Sequence, residues 1–472
     1  MMMRCPGTLR VLCAFLLLSS AWAQSQADAP AEARDLAAHA AGADRDQRSA
    51  VFEATVDLFV DYYWDPERLD WEAWADRYRA AAVTARTRGQ FDTVMRRMVA
   101  EIGDDHSRWM GLTRLDPALT PITPPLEPFE PSGLVPAGHG ELLAQTDSSP
   151  SLGMLVRWVA GAGVVVERVL PHTPAAEAGV MRGDVITGVG DTDLGELGAA
   201  GVGFVLTSTL EDQSVELTLR RGGRESLSLS LEPRFLVQSE LRRTAASALL
   251  ADGVGYVYVP SFTLAGTGER VHRLLAQLRD GGATSFVLDL RGNGGGSLAE
   301  LGVLMGAFVD GEWARAVSRG EVAWTAEFQR DVAAGAGVAR LREESGRVLR
   351  SARLDDPVFV SEPLVVLVDE GTSSAAEVAA SVLQATGRAR VVGVLTSGNV
   401  EVVRTYLLPD SSQVLVAVAN LQLPDGRSLD AGIMPDAEAS VDMRELARGY
   451  DAPVAESLRL LTGLPFSPGR WF

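Results

Sequence analysis

Two loops carry the residues best suited to covalent chemistry. The first reads Asp289-Leu290-Arg291-Gly292-Asn293-Gly294-Gly295-Gly296, after an apolar run and ahead of a helical one. Contiguous glycines let backbone N–H groups approach and point at a ligand, which is what stabilising an oxyanion requires. A dinucleotide fingerprint would space its glycines as G-x-G-x-x-G, and a plain strand-to-helix turn would need no ligand. The second loop reads Gly371-Thr372-Ser373-Ser374-Ala375-Ala376-Glu377, after the apolar run Leu364–Val368. A serine at such a helix start is exposed, and its neighbour's N–H lies beside developing negative charge. Ser374 and Glu377 also make a good capping box, so local pattern leaves nucleophile and cap both open.

A serine nucleophile needs a base. The chain has 43 basic residues, all of them arginine. A lysine base, a Schiff base and a P-loop lysine are therefore excluded. Histidine, with an ordinary pKa near ~6.5, is the natural substitute. The five histidines are His39, His106, His139, His172 and His272. His39 falls in an Ala-rich lead-in, His139 in a proline-rich connector and His172 in a turn, while His272 sits on a helix whose register reads as solvent-facing. His106 closes the run Gly103-Asp104-Asp105-His106-Ser107. There is no H-E-x-x-H, cysteine pair or close histidine pair, so neither a metal nor a cofactor is expected. The net charge of −19 argues against a nucleic-acid partner, which would need a basic face.

The length of 472 residues suggests several domains. Arg4 and Arg10 precede the apolar run Val11–Leu18, and Ala21-Trp22-Ala23 precedes Gln24. That describes a secretory signal peptide over residues 1–23 and hence an exported, periplasmic or extracellular protein. Cys5 and Cys13 both lie inside it, so the mature chain is expected to have no thiol chemistry. No later stretch is apolar enough for a membrane span.

Residues 24–49 read as a loose lead-in to a helical region ending near 115. Phe52, Val56, Phe59 and Tyr63 form one helical stripe, and a second amphipathic segment runs over 91–102. Prolines 117, 121, 124, 125, 128 and 131 mark a connector over 116–150. Residues 151–234 combine strand-like runs with glycine turns. From 235 to 450 strands and helices alternate, which predicts an α/β core. Its strands are expected at 256–259, 286–290, 364–368, 391–394 and 414–418, and its helices at 270–278, 298–308 and 375–385. A polar, Arg-rich insertion is expected over 311–360 and a tail over 451–472.

Residues 151–234 closely resemble a PDZ domain of the bacterial protease type. The resemblance rests on Gly163–Val169, the Pro174-Ala175 and Ala178-Gly179 pairs, and Gly183-Asp184 opening the next strand. It implies that Gly153, Met154, Leu155 and Val156 form a peptide-docking loop, where an extended peptide adds as a strand.

The whole order resembles the C-terminal processing (tail-specific) serine peptidases, a family that also contains the tricorn core protease. It comprises the leader, the helical region, the PDZ unit, Gly255-Tyr256-Val257 with Ser261-Phe262, the two loops, and a closing Gly432-Ile433-Met434-Pro435-Asp436. That likeness implies a core of the crotonase-like (ClpP/crotonase) type. It assigns Ser374 as nucleophile, with Gly294, Gly295 and the N–H of Ala375 as oxyanion donors.

The chain departs from the main branch of that family at the lysine base. The motif carrying it falls on Thr396-Ser397-Gly398-Asn399-Val400, which puts Asn399 at the lysine position, and the glutamine position is Val403. An amide cannot take the serine proton. The tricorn-like branch implies His106 as base instead, oriented by an acid that matches Asp430; Asp105 is a second choice for that role. The sequence thus predicts a serine-type peptidase acting on peptide or protein substrates. An inactive, peptide-binding relative is the alternative.

Overall fold

The computed structural model describes residues 31–104, 106–112, 151–170, 172–195, 214–235, 245–398, 400–429 and 432–464. The expected leader, the proline-rich connector, His139, Asp105, Asn399 and Asp430 lie outside them.

The N-terminal region is three helices, α1 (Ala31–Tyr62), α2 (Trp71–Val83) and α3 (Arg88–Ala100). α1 begins well before the expected start near residue 50, as the high helix propensity of its Ala-rich opening allows. α2, which the sequence reading passed over, is capped by Asp70, and α3 by Thr87. Phe59, Tyr63, Trp74, Met95 and Met98 are buried between them. The Trp74 indole donates to Met98 O at 2.8 Å, locking α2 onto α3.

The unit that follows is an antiparallel sheet of β2 (Met154–Val159), β3 (Gly163–Val169), β4 (Val185–Val189), β6 (Val215–Arg221) and β7 (Glu225–Leu231), in that order. A short β5 (Thr192–Asp193) pairs with β4, and the one-turn α4 (Pro174–Glu177) lies between β3 and β4. Leu152, Val164, Val166, Ile186, Leu217 and Leu219 make its own core. β2 is an edge strand.

The core holds two sheets. The first runs β19 (Ala437–Glu438), β16 (Arg390–Gly393), β15 (Leu364–Val368), β10 (Ser285–Asp289), β9 (Val254–Tyr258), β8 (Ala246–Leu249), with every neighbouring pair parallel except β8–β9. β10 and β15 are buried at every position, as continuous apolar runs in a covered parallel sheet should be. The helices α5 (Thr267–Asp280), α6 (Leu298–Met305) and α7 (Ala375–Ala385) belong to this layer.

The second sheet is β1 (Arg108–Gly111), β18 (Gln413–Gln422), β11 (Gly311–Ser318), β12 (Glu321–Asp331), β13 (Ala336–Arg342), β14 (Val348–Asp355), with β17 (Glu401–Leu407) on the other side of β18. The region read as a polar insertion is therefore mostly strand. Trp313, Trp324, Phe328 and Leu341 point inward, while Arg340 and Arg342 reach Glu327 on the outer face, the period-two pattern of a half-buried sheet.

The last described residues are fold rather than tail. α8 (Met443–Leu446) places Leu446 and Ala447 against Val165 and Val185 of the small sheet unit. α9 (Ala452–Thr462) packs Val454 on Val254, Val287, Val365 and Val392. Among the described residues no helix is long and apolar enough to cross a membrane.

Candidate active site

β10 and β15 are parallel neighbours in register from Phe286↔Leu364 to Asp289↔Leu367. Their C-terminal ends therefore deliver the glycine loop and the serine loop to the same edge of the sheet, where open α/β sheets place their ligands. Asp369 fastens one loop to the other. Its Oδ1 accepts the N–H of Gly292 at 2.7 Å and that of Gly371 at 3.0 Å. Ser373 N donates to Asn293 O at 3.0 Å.

Ser374 sits at φ 55°, ψ −126°, a left-handed conformation that a side chain rarely adopts. Such strain costs of order ~1–3 kcal/mol and persists where the surroundings hold it. Here Glu377 holds it. This buried carboxylate accepts the N–H of Ser374 at 3.0 Å on Oε2. Its Oε1 takes the Thr396 hydroxyl and the Gly398 N–H (2.7 Å), and Ser397 Oγ reaches Oε2 at 3.3 Å. The buried acid is thus met by four donors, as a charge out of water requires.

Gly295 brings the glycine loop against Ser374. A Cβ on it would stand 2.7 Å from Ser374 Cβ and 3.0 Å from Ala375 N, and its φ is +92°. Its N–H, expected to face an oxyanion, instead donates to Asn293 Oδ1 at 2.9 Å. Asn293 is itself buried and donates to Val259 O at 2.9 Å. The contribution of Gly295 is thus close approach. Gly294, where a Cβ would stand 3.9 Å from Ser373 Oγ, and Ala375, the first residue of α7 and the neighbour of Ser374 in sequence, are the other two expected donors.

Arg291 is a structural arginine. Its guanidinium is buried, meets both oxygens of Asp289, and reaches Asp451 at 2.9 and 3.0 Å. Burial works against the charge on Arg291, but Asp289 and Asp451 outweigh it and raise the pKa well above the usual arginine value. Arg182 of the small sheet unit joins the same Asp451 at 3.0 Å. From β3, Arg168 packs so closely on Gly292 that any side chain there would collide with it.

The histidines separate cleanly. His272 is buried, not solvent-facing. Val358 N donates to its Nδ1 at 3.1 Å, and its Nε2 donates to Val303 O at 2.8 Å. α5 is flanked by both α6 and the 356–360 segment, so its buried arc is wider than the apolar stripe suggested. Burial lowers the His272 pKa, and with both nitrogens committed it cannot serve as a base. His172 is exposed in a turn at φ 60°.

His106 is buried just ahead of β1. Asp104 Oδ1 accepts the backbone N–H groups of His106 (3.1 Å) and Ser107, and Ser107 Oγ accepts from Ala417 N of β18 at 3.1 Å. Burial, and then the charge of Asp104, push the neighbouring Tyr63 hydroxyl far up. The His106 Nδ1 lies 2.8 Å from Glu401 Oε2, with side-chain exposures of 2% and 11%. That is a hydrogen-bonding distance, although the ring N–H is not aimed squarely at the oxygen, and neither atom has another partner among the described residues. Nε2 is also buried without a partner among the described residues, so the Ser374 hydroxyl does not bond to the imidazole in this structure.

The segment 396–401 nevertheless joins the two groups. Thr396, Ser397 and Gly398 are held by Glu377 beneath Ser374, and Glu401 at its other end faces His106. Sequence reasoning missed Glu401. The only signal was an acid just ahead of the apolar pair Val402-Val403 at the start of a strand. It also missed Asp369, Asn293 and Asp451, whose roles depend on contacts between distant segments.

The residues expected to dock a peptide lie at the edge of the small sheet. Gly153, at φ +76°, is pressed against Thr173, and its carbonyl accepts from Leu170 N at 2.9 Å. Met154, Leu155 and Val156 are half-buried on β2, whose outer side has no strand neighbour among the described residues.

Three regions match known families. Residues 44–100 match the tricorn protease C1 domain, 165–221 a PDZ domain and 253–439 peptidase family S41. The carboxyl-terminal-processing peptidase 2, chloroplastic, of Arabidopsis thaliana is 30% identical over 279 residues, 58% of this chain and 49% of that protein. The C-terminal processing peptidase, chloroplastic, of Tetradesmus obliquus is 30% identical over 324 residues, 66% and 63% of the two chains. The chain thus spans about half to under two-thirds of these relatives. A solved structure described as an S41 protease from Bacteroides fragilis has a TM-score of 0.53 at 17% identity, covering 86% of this chain and 96% of its own, and so shares the fold. Residues 253–439 thus match peptidase family S41, and the chain is similar to carboxyl-terminal-processing peptidases.

Proposed function

We propose that the chain is an exported serine-type endopeptidase whose PDZ unit docks peptide or protein tails along β2. The observation that carries this reading is Ser374. It is held in a left-handed turn by Glu377, with the glycine loop packed against its Cβ, an investment that a mere helix cap does not need. Ser374 Oγ attacks the scissile carbonyl carbon while its proton passes to His106 Nε2. The new oxyanion is met by the N–H groups of Gly294 and Ala375. The C–N bond then breaks as Nε2 returns the proton to the leaving amine. A water molecule, losing its proton to the same nitrogen, releases the acyl group and restores the serine.

His106 is the base this scheme requires because lysine is absent and His272 has both nitrogens engaged. Forming the Ser374–His106 hydrogen bond needs a local movement, which substrate binding supplies; catalytic hydrogen bonds are often loose without substrate.

The test uses the purified chain without its leader. A fluorophosphonate should label the wild type and leave Ser374→Ala unlabelled. Peptide hydrolysis should fall roughly 10³–10⁴-fold or more in Ser374→Ala and His106→Ala. Undiminished hydrolysis in His106→Ala would end this mechanism.

A further inference from the structure

We infer that Glu401, rather than Asp430, is the carboxylate that orients the His106 imidazole. The inference rests on the reading of His106 as the base. Glu401 Oε2 and His106 Nδ1 are 2.8 Å apart, both side chains are buried, and neither atom has any other hydrogen-bond partner among the described residues. A buried carboxylate or imidazole left alone is costly, and each is the group that can satisfy the other.

The mounting is rigid on both sides. Glu401 opens β17 and pairs with Asn420 of β18. His106 precedes β1, which pairs with the opposite edge of β18 from Arg108↔Leu415, and Ser107 is pinned to Ala417. The two groups thus meet across one central strand, a better platform than a loop for holding a ring within a fraction of an ångström.

This arrangement also accounts for the missing lysine. The segment that would carry a lysine at position 399 carries an acid two residues later, and that acid serves a base brought in from the N-terminal region. A neutral ring that keeps its proton on Nδ1, the nitrogen beside Glu401, leaves the Nε2 lone pair free for the Ser374 proton. The Nδ1 proton stays in place throughout. Glu401 is therefore a positioning residue, comparable to the acid of a serine–histidine–acid triad.

Two readouts test it. In ¹⁵N NMR of the folded chain, with the His106 signal assigned through His106→Asn, the neutral imidazole should be the Nδ1–H tautomer. It should lose that preference in Glu401→Gln and keep it in Asp430→Asn. In peptide hydrolysis, Glu401→Gln should lower kcat roughly 10³–10⁴-fold with KM little changed, while Asp430→Asn stays within about threefold. An Nε2–H tautomer in the wild type overturns the inference. So does a tautomer lost in Asp430→Asn and kept in Glu401→Gln. The wild-type tautomer needs neither a folded variant nor peptidase activity. A chain that binds peptides without cleaving them would therefore sink the catalytic reading while the His106–Glu401 pairing is still decided by NMR.

Discussion

Arg182 of the PDZ unit donates to Asp451 of the core at 3.0 Å, deep in the interface between them. The same carboxylate holds Arg291, which in turn grips Asp289 at the foot of the glycine loop. A single buried acid therefore ties the PDZ unit to the loop that lies against Ser374. Nearby, Leu446 and Ala447 pack on Val165 and Val185, so the junction has an apolar seam beside its ionic one.

Asp451→Asn should destabilise the chain severely. Removing one member of a buried ion network leaves the others unpaired and costs about 3–5 kcal/mol, to be read from urea unfolding at pH 7. The acid dependence follows from the pKa. Burial alone would raise it, but Arg291 and Arg182 hold Asp451 below its ordinary 3.8. The stabilisation is thus fully present above about pH 3.8 and is lost as the pH falls through the lower, folded-state value. The wild type should lose stability more steeply than Asp451→Asn in that acid window. Parallel curves would remove Asp451 from the account.

Asp369 should matter to rate more than to binding. Its Oδ1 is the acceptor that joins Gly292 to the serine loop. Asp369→Ala should lower kcat roughly tenfold to a hundredfold by letting the oxyanion donors drift, with KM nearly constant. Asp369→Asn keeps an acceptor oxygen and should recover most of the loss. Equal damage from both variants would point to charge rather than tethering.

Gly295→Ala tests the close approach. The added methyl would stand 2.7 Å from Ser374 Cβ in a backbone at φ +92°. Hydrolysis should drop by at least about 10²-fold, and stability by about 1–3 kcal/mol, leaving a folded chain. Retained activity would show that the loop can withdraw without harm.

The parts that could be read from sequence were those written in local pattern. Leu364–Val368 and Ala375–Ala385 match their expected bounds residue for residue, because a buried parallel strand and a capped small-residue helix both announce themselves within a short window. The Arg-rich 311–360 region hid four strands, since polar residues alternating with apolar ones, such as Thr325, Glu327 and Gln329 with Trp324, Ala326 and Phe328, lower mean hydropathy without breaking the two-residue period. His272 was misplaced because one helix wheel cannot reveal that two neighbours close over it. Glu401 was invisible for the same reason at longer range: its partner stands on the far side of β18, almost three hundred positions earlier in the chain. Conversely, Gly295 was assigned as an N–H donor through the family resemblance, and only the position of Asn293 Oδ1 shows that this N–H is taken.

His272 offers a control that separates structure from catalysis. Burial sets its pKa below the ordinary 6.5, so the fold favours the neutral ring. Its stabilisation is complete above about pH 6.5 and is lost as the pH falls through the depressed folded-state value, because protonation then favours the unfolded chain. His272→Gln removes that titration but also the bonds to Val303 and Val358. The variant should therefore be less stable than the wild type at pH 7.5, by about 1–3 kcal/mol for buried hydrogen bonds left unmade, and the gap should narrow toward pH 5. Unfolding free energies at the two pH values measure it directly, and a gap that widens with acid would contradict a neutral His272. Hydrolysis at pH 7.5 should be within about threefold of the wild type, since His272 has no lone pair to offer Ser374.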